Sequence, residues 1–157
     1  MSNNMQSATQ QHTVVFELTH PDARAPARAT DGAAGYDLRS CEALVVPPGD
    51  RRLVDTGVRL AFDGQFYARI ASRSGLAVKG IDVMAGVCDA DYRGTYRVLL
   101  VNNSGAPFEV EPGDRIAQIV FEAIVHPVLV DAAGDELDGC VARSTRGDGG
   151  FGSTGTC

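Results

Sequence analysis

No stretch of this chain carries a sustained helical period, while short runs rich in β-branched and aromatic residues are cut apart by glycine, proline and aspartate. The runs are TVVFEL (13–18), ALVVP (43–47), RLVDTGVRLAF (52–62), FYARIA (66–71), YRVLLV (96–101), FEV (108–110) and RIAQIVFEAIV (115–125). Half-buried strands have this composition and this punctuation. The only helical candidate, SGLAVKG (74–80), is too short for more than a turn or two. An all-β fold follows, and many short strands joined by tight turns point to a sandwich, a jelly roll or a barrel. Two of the turns are spelled out. Pro48-Gly49-Asp50 and Pro112-Gly113-Asp114 each precede a strand run, with proline fixing φ at the first corner and glycine supplying the positive φ of the next.

The length of 157 residues allows one domain with a real core, but leaves no room for a second catalytic domain and little for a deep site within one chain. A formal net charge of −6 argues against binding long nucleic acid, which needs clustered positive charge to release counterions. Phosphate recognition here must be local. Lys79 is the only lysine among 14 basic residues, and the planar forks of the arginines suit phosphate oxygens. No apolar run reaches the ~20 residues of a membrane helix. Cys41, Cys88, Cys140 and Cys157 are scattered, without metal-like spacing to His12, His20 or His126, and read as free thiols in a reducing compartment. The opening MSNNMQSATQQH has neither the order of a signal peptide nor the arginines of a transit peptide. A cytoplasmic or nuclear protein is expected.

Three regions follow from composition. Residues 1–12 form a polar arm, 13–142 the β domain, and 143–157 a glycine-rich tail in which five of residues 146–155 are glycine.

Three segments can carry chemistry. At Arg73-Ser74-Gly75 a β run breaks into the short helical stretch, putting a guanidinium, a hydroxyl and open backbone amides together, as a phosphate seat requires; an ordinary Ser cap with a surface arginine would look the same. The stretch 81–98, IDVMAGVCDADYRGTYRV, reads as a hairpin with a dense group of Asp89, Asp91, Tyr92, Arg93 and Gly94. Because Asp89 alternates with Asp91, one carboxylate is expected to face inward, where it can orient a water. The tail Arg146 to Gly155 sets Phe151 among glycines; glycine lets amides wrap phosphate, and an aromatic with no local core suits a ligand's flat face.

Five motifs in this order, AGYDLRS (34–40), SRSGLA (72–77), GVCDADYRG (86–94), GDRIAQ (113–118) and RGDGGFGSTG (146–155), resemble those of the homotrimeric all-β dUTPase family, over about residues 33–155. The resemblance implies a jelly-roll-like distorted β-barrel subunit, a homotrimer with active sites at the subunit interfaces, and hydrolysis of dUTP to dUMP and pyrophosphate, which keeps uracil out of DNA and supplies dUMP for thymidylate synthesis. It assigns uracil reading to the hairpin, with Gly86, Val87 and Arg97 at the base, and sugar packing to Tyr92, which leaves no room for a 2′-hydroxyl. Asp89 is the implied water-positioning carboxylate. Arg73, Ser74 and Gly75 meet the phosphates, Gln118 lies near them or near the hairpin, Arg146 approaches the terminal phosphate, and Phe151 with Gly152 closes over uracil. The implied cofactor is Mg2+, held by the triphosphate and waters with no direct protein ligand, and with Asp37 as an indirect support.

Ser72, Cys88 and Arg97 depart from the family pattern, which commonly has proline, isoleucine or valine, and a small or apolar residue there. The backbone of Arg97 is expected to serve the base, with its side chain turned away. A fold-related dCTP deaminase would need a glutamate-centred acid/base site, which the hairpin lacks. A silent nucleotide sensor would have no need of Asp89.

Overall fold

A computed structural model describes residues 12–131. Among them the strands are β1 (Val15–Leu18), β2 (Tyr36–Arg39), β3 (Leu44–Val46), β4 (Arg51–Ala61), β5 (Phe66–Ala71), β6 (Ile81–Met84), β7 (Val87–Cys88), β8 (Tyr96–Asn102), β9 (Phe108–Val110) and β10 (Arg115–Ala123), and one helical turn is α1 (Ser74–Ala77). The polar arm short of residue 12 and the whole of the tail 143–157 lie outside the described residues.

The strands form two four-stranded sheets, ordered β1-β4-β8-β6 and β2-β10-β5-β7, and a β3-β9 ribbon. All pairings are antiparallel. The fold is all-β as expected, but the two sheets are not joined into a closed barrel. Alternation decides which faces meet. On β5, Phe66, Ala68 and Ile70 are buried between half-exposed neighbours, and on β8 Tyr96, Val98, Leu100 and Asn102 do the same. These faces enclose one core with Leu38, Val54, Val58, Ile116 and Ile119. Each such aliphatic side chain contributes about 1.5–3 kcal/mol by leaving water. The outer face of the second sheet is polar: Glu122 on β10 accepts from Tyr67 and Arg69 on β5, and the guanidinium, followed by the phenol, holds its carboxyl below the usual range.

Both Pro-Gly-Asp turns form as the sequence predicts. Gly49 and Gly113 have φ of 72° and 94°, and the turns close with Asp50 N–H on Pro47 O at 3.1 Å and Asp114 N–H on Glu111 O at 3.0 Å. Two strand irregularities are not visible in the sequence pattern. Register shifts occur in β4 between Asp55 and Val58 and in β10 between Arg115 and Ala117. In β4 the bulge is built on Gly57, φ 63°, where a Cβ would sit 2.7 Å from that of Ala23. β2 is the strand absent from the expected set, because YDLR carries two charges in four residues.

Asn102 is a fully buried polar node. Its amide donates to Val46 O at 2.9 Å and Ala106 O at 2.7 Å, and its carbonyl accepts from the backbone and hydroxyl of Ser104. Every polar group of the side chain is used, tying β8 to the β3-β9 ribbon. Asn102→Ala orphans several buried partners at once and is expected to cost about 2–4 kcal/mol. Urea denaturation checks this, and a loss below about 1 kcal/mol contradicts it.

Candidate functional site

The site begins where β6 ends. β6 runs beside β8 as far as Met84↔Leu99, then Ala85 and Gly86, with φ of 60° and 104°, turn the chain out of the first sheet and onto β5. Gly86 O accepts from Ile70 N–H at 2.8 Å. A Cβ on Gly86 would lie 2.3 Å from Ile70 O, so only glycine permits the approach. Val87 and Cys88 then pair with Arg69 and Ala68 as β7. The expected simple hairpin is therefore a β6-β8 pair whose connection crosses to the other sheet.

Between the crossing and β8 lies a cavity of about 300 Å3, lined by Gly86, Val87, Asp89, Tyr92, Tyr96 and Arg97 among others. Five of these residues are those to which the family resemblance gives base, sugar and water roles. Asp89 and Asp91 are both exposed, so the expectation that one faces inward fails. The reason is local: Tyr92 N–H bonds Asp89 O at 3.1 Å, making 89–92 a turn, and strand alternation does not apply to a turn. Asp89 is thereby free to act at the rim. The Tyr92 ring folds over Gly94, whose missing Cβ would lie 2.3 Å from the phenol oxygen, and its hydroxyl donates to Thr95 O at 3.1 Å. Arg97 is on the exposed face of β8, opposite Asp55.

Cys88 stands beside Asp89. Burial, with the charge of Asp89 second, pushes its thiol up to about 11. It therefore stays neutral at working pH and adds no second negative charge next to the carboxylate.

A second cluster gathers around Asp37 on β2. The Arg73 Nε donates to Asp37 Oδ1 at 2.8 Å, and Arg115 reaches Oδ2 at 3.3 Å. Arg73 also caps α1 without a side-chain bond, so the first amides of the turn at Ser74 and Gly75 have no intrahelical acceptor. Gln118 donates to Ser72 O at 3.0 Å and fills the space that a Cβ on Gly35 would need. The Ser72 hydroxyl bonds Asp82 and accepts from Val83 N–H, both at 2.9 Å, so serine replaces proline here with a clip to β6. Arg115 is the residue that sequence reasoning did not single out. It sits three positions from Gln118 on a strand, which predicts opposite faces; the bulge between them brings both to Asp37.

The two clusters do not share a cavity, since Arg73, Ser74, Gly75 and Gln118 are not among the residues lining the Asp89 pocket. Arg146, Phe151 and Gly152 lie outside the described residues. A larger groove of about 730 Å3, walled by Tyr36, Phe66 and Phe121, contains no carboxylate and no residue assigned to substrate; its size does not make it the reaction site.

The dUTPase family model matches residues 21–155. The chain belongs to the dUTPase family. It is 47% identical over 133 residues to the deoxyuridine 5'-triphosphate nucleotidohydrolase of Vaccinia virus (strain Copenhagen), covering 85% of this chain and 86% of that protein. With the Monkeypox virus enzyme the identity is again 47%, over 85% and 84%. Among solved structures, the Staphylococcus bacteriophage 80alpha dUTPase with dUPNHPP superposes with a TM-score of 0.81 at 27% identity, covering 92% of this chain and 99% of that one. A mutant dUTPase from phage phi11 of S. aureus, whose structure details the coordination of a structural Mg(II) ion, gives 0.74 at 25%, over 80% and 99%.

The raised Cys88 thiol predicts its own readout. At pH 8, alkylation of Cys88 by iodoacetamide is expected to be about 100-fold slower than that of an ordinary cysteine, because the thiolate is the nucleophile. Peptide mass spectrometry over time measures the rate, and labelling as fast as in a free peptide contradicts the assignment.

Proposed function

We propose that this dUTPase hydrolyses dUTP to dUMP and pyrophosphate at sites shared between three copies of the chain, with Asp89 orienting the attacking water. The observation that carries this reading is the split geometry. One subunit holds a base-and-sugar pocket edged by a carboxylate and, separately, an arginine cluster suited to phosphate. A second copy that lays its Arg73 cluster against the Asp89 rim completes a site that neither makes alone. Exposed apolar surface supports such assembly: among the described residues β1 is an edge strand with Val15, Phe16 and Leu18 exposed, and Val125, Val128, Leu129 and Val130 are each more than 80% exposed. Closed symmetry uses the same patches on every subunit.

In this arrangement the main chain at Gly86, Val87 and Arg97 reads the uracil edge. A fixed set of buried donors and acceptors is left unpaired by cytosine, which is a stronger rejection than shape alone gives. Tyr92, held over Gly94, packs on the deoxyribose and excludes a 2′-hydroxyl. Arg73 enters the reaction already oriented by Asp37, and with Ser74, Gly75, Arg115 and Gln118 it meets the phosphates. Asp89 accepts a proton as the water oxygen bonds the α-phosphorus in line and the bond to the leaving pyrophosphate breaks. The tail, through Arg146, Phe151 and Gly152, covers the substrate and excludes water.

Magnesium fits this chain as a substrate-borne ion. Both Asp37 oxygens are engaged by arginine, so Asp37 would reach the ion through water. When bound it neutralises phosphate charge. Among the described residues no helix is long and apolar enough to cross a membrane; the scattered spacing of the four cysteines favours a reducing compartment, cytoplasmic or nuclear.

The test is pyrophosphate release from dUTP, dCTP, dTTP and UTP with magnesium. Turnover of dUTP alone is expected. Asp89→Asn should lower kcat by about 10²–10⁴-fold while dUTP still binds. Equal turnover of UTP contradicts the role of Tyr92, and an unchanged kcat contradicts that of Asp89.

A further inference from the structure

The residue beneath Tyr92 is used by none of the steps above. Tyr96 is the first residue of β8 and 1% exposed, yet its ring stands edge-on to that of Tyr92 with centroids 5.5 Å apart and planes at 69°. Its backbone is fixed by Thr56, whose hydroxyl donates to Tyr96 O at 2.6 Å. Its own hydroxyl is buried with no hydrogen-bond partner among the described residues, and burial, with Cys88, Tyr92 and Asp89 adding to it, pushes the phenol up to about 12. The group is thus a neutral phenol lodged under the loop that carries Asp89 and Tyr92.

Tyr92 by contrast is 41% exposed. Among the described residues the one hydrogen bond of its side chain is to Thr95 O, and Gly94 yields space to the ring without supporting it. The firm contact is the one from below. Edge-to-face aromatic pairs are directional, so a fixed partner sets the tilt of a mobile one.

We infer that Tyr96 is a specificity-determining positioning residue: its ring, anchored in the core, fixes the Tyr92 ring at the height at which it meets the sugar, and so sets how strictly a 2′-hydroxyl is refused. The contact with Tyr92 is made by the ring, so the contribution comes from the ring. The inference rests on the reading of Tyr92 as the sugar-facing group. It adds that discrimination is built by a pair, with the buried member controlling the exposed one.

The experiment compares kcat/KM for dUTP and for UTP in the full-length wild-type chain, Tyr96→Leu and Tyr96→Phe, each checked for assembly and melting temperature. Tyr96→Leu is expected to lower the dUTP/UTP ratio about three- to tenfold, the span that loss of one aromatic pair allows, with the ratio falling through better use of UTP or a higher KM for dUTP. Tyr96→Phe keeps the ring and is expected to keep the ratio within about twofold. A merely structural role would slow both substrates alike and leave the ratio where it was. An unchanged ratio in Tyr96→Leu overturns the inference, as does an equal fall in Tyr96→Phe. Should Tyr96→Leu fail to fold, Tyr96→Met, closer in volume, is read by the same criterion. Failure of the underlying reading looks different: the wild-type chain itself would then fail to prefer dUTP.

Discussion

The contact between Gly86 and Ile70 is the constraint on which the site depends. Two backbones approach until one carbonyl lies where a side chain would begin, and one hydrogen bond of 2.8 Å holds them. Without that approach β6 would continue beside β8 as a plain hairpin and its connection would hang in solvent. With it, the chain crosses from one sheet to the other, opens a cavity at the crossing, and delivers Asp89 to the rim within two residues of β7. The same crossing half-buries Cys88 against the core and so keeps a thiol next to the Asp89 carboxylate uncharged. One glycine thus makes an irregular place between two sheets, which is where binding chemistry is usually found.

The Asp37 cluster is the electrostatic counterpart. Two arginines share one carboxylate whose side chain is only 14% exposed, so the group carries a net charge of about +1 on a protein that is acidic as a whole. Arg73 is held in a defined orientation by Asp37, which in the proposed role would lower the entropy lost on binding phosphate. The residual positive charge suits a triphosphate and is too local for a nucleic-acid backbone. The acidic composition and the phosphate chemistry are therefore compatible.

Much of the fold was legible because strand chemistry is local. The strand runs at 66–71 and 96–101 and the two proline–glycine turns follow from properties of the residues themselves, and the structure has them where the pattern puts them. The bulges were not legible, because a one-residue slip depends on what lies across the sheet: nothing in RIAQIV says that Arg115 and Gln118 will face the same way, and only the shifted register against β2 makes it so. The β2 strand escaped notice because its residues suit a site better than a sheet. At the pocket, the motif containing Asp89, Tyr92 and Gly86 could be recognised, but the inward carboxylate could not survive the turn at 89–92, and the support from Tyr96 lay in a ring packing that no spacing announces.

What remains decisive is whether one reaction site draws on two chains. Mixing an Asp89→Asn chain with an Arg73→Ala chain, each inactive alone, and allowing subunits to exchange tests this directly. If Asp89 and Arg73 of a site come from different subunits, each mixed trimer contains about one intact site, and dUTP hydrolysis returns on mixing. If mass spectrometry shows mixed trimers and the mixture stays inactive, both residues serve the site from a single chain, and the shared-site account is wrong.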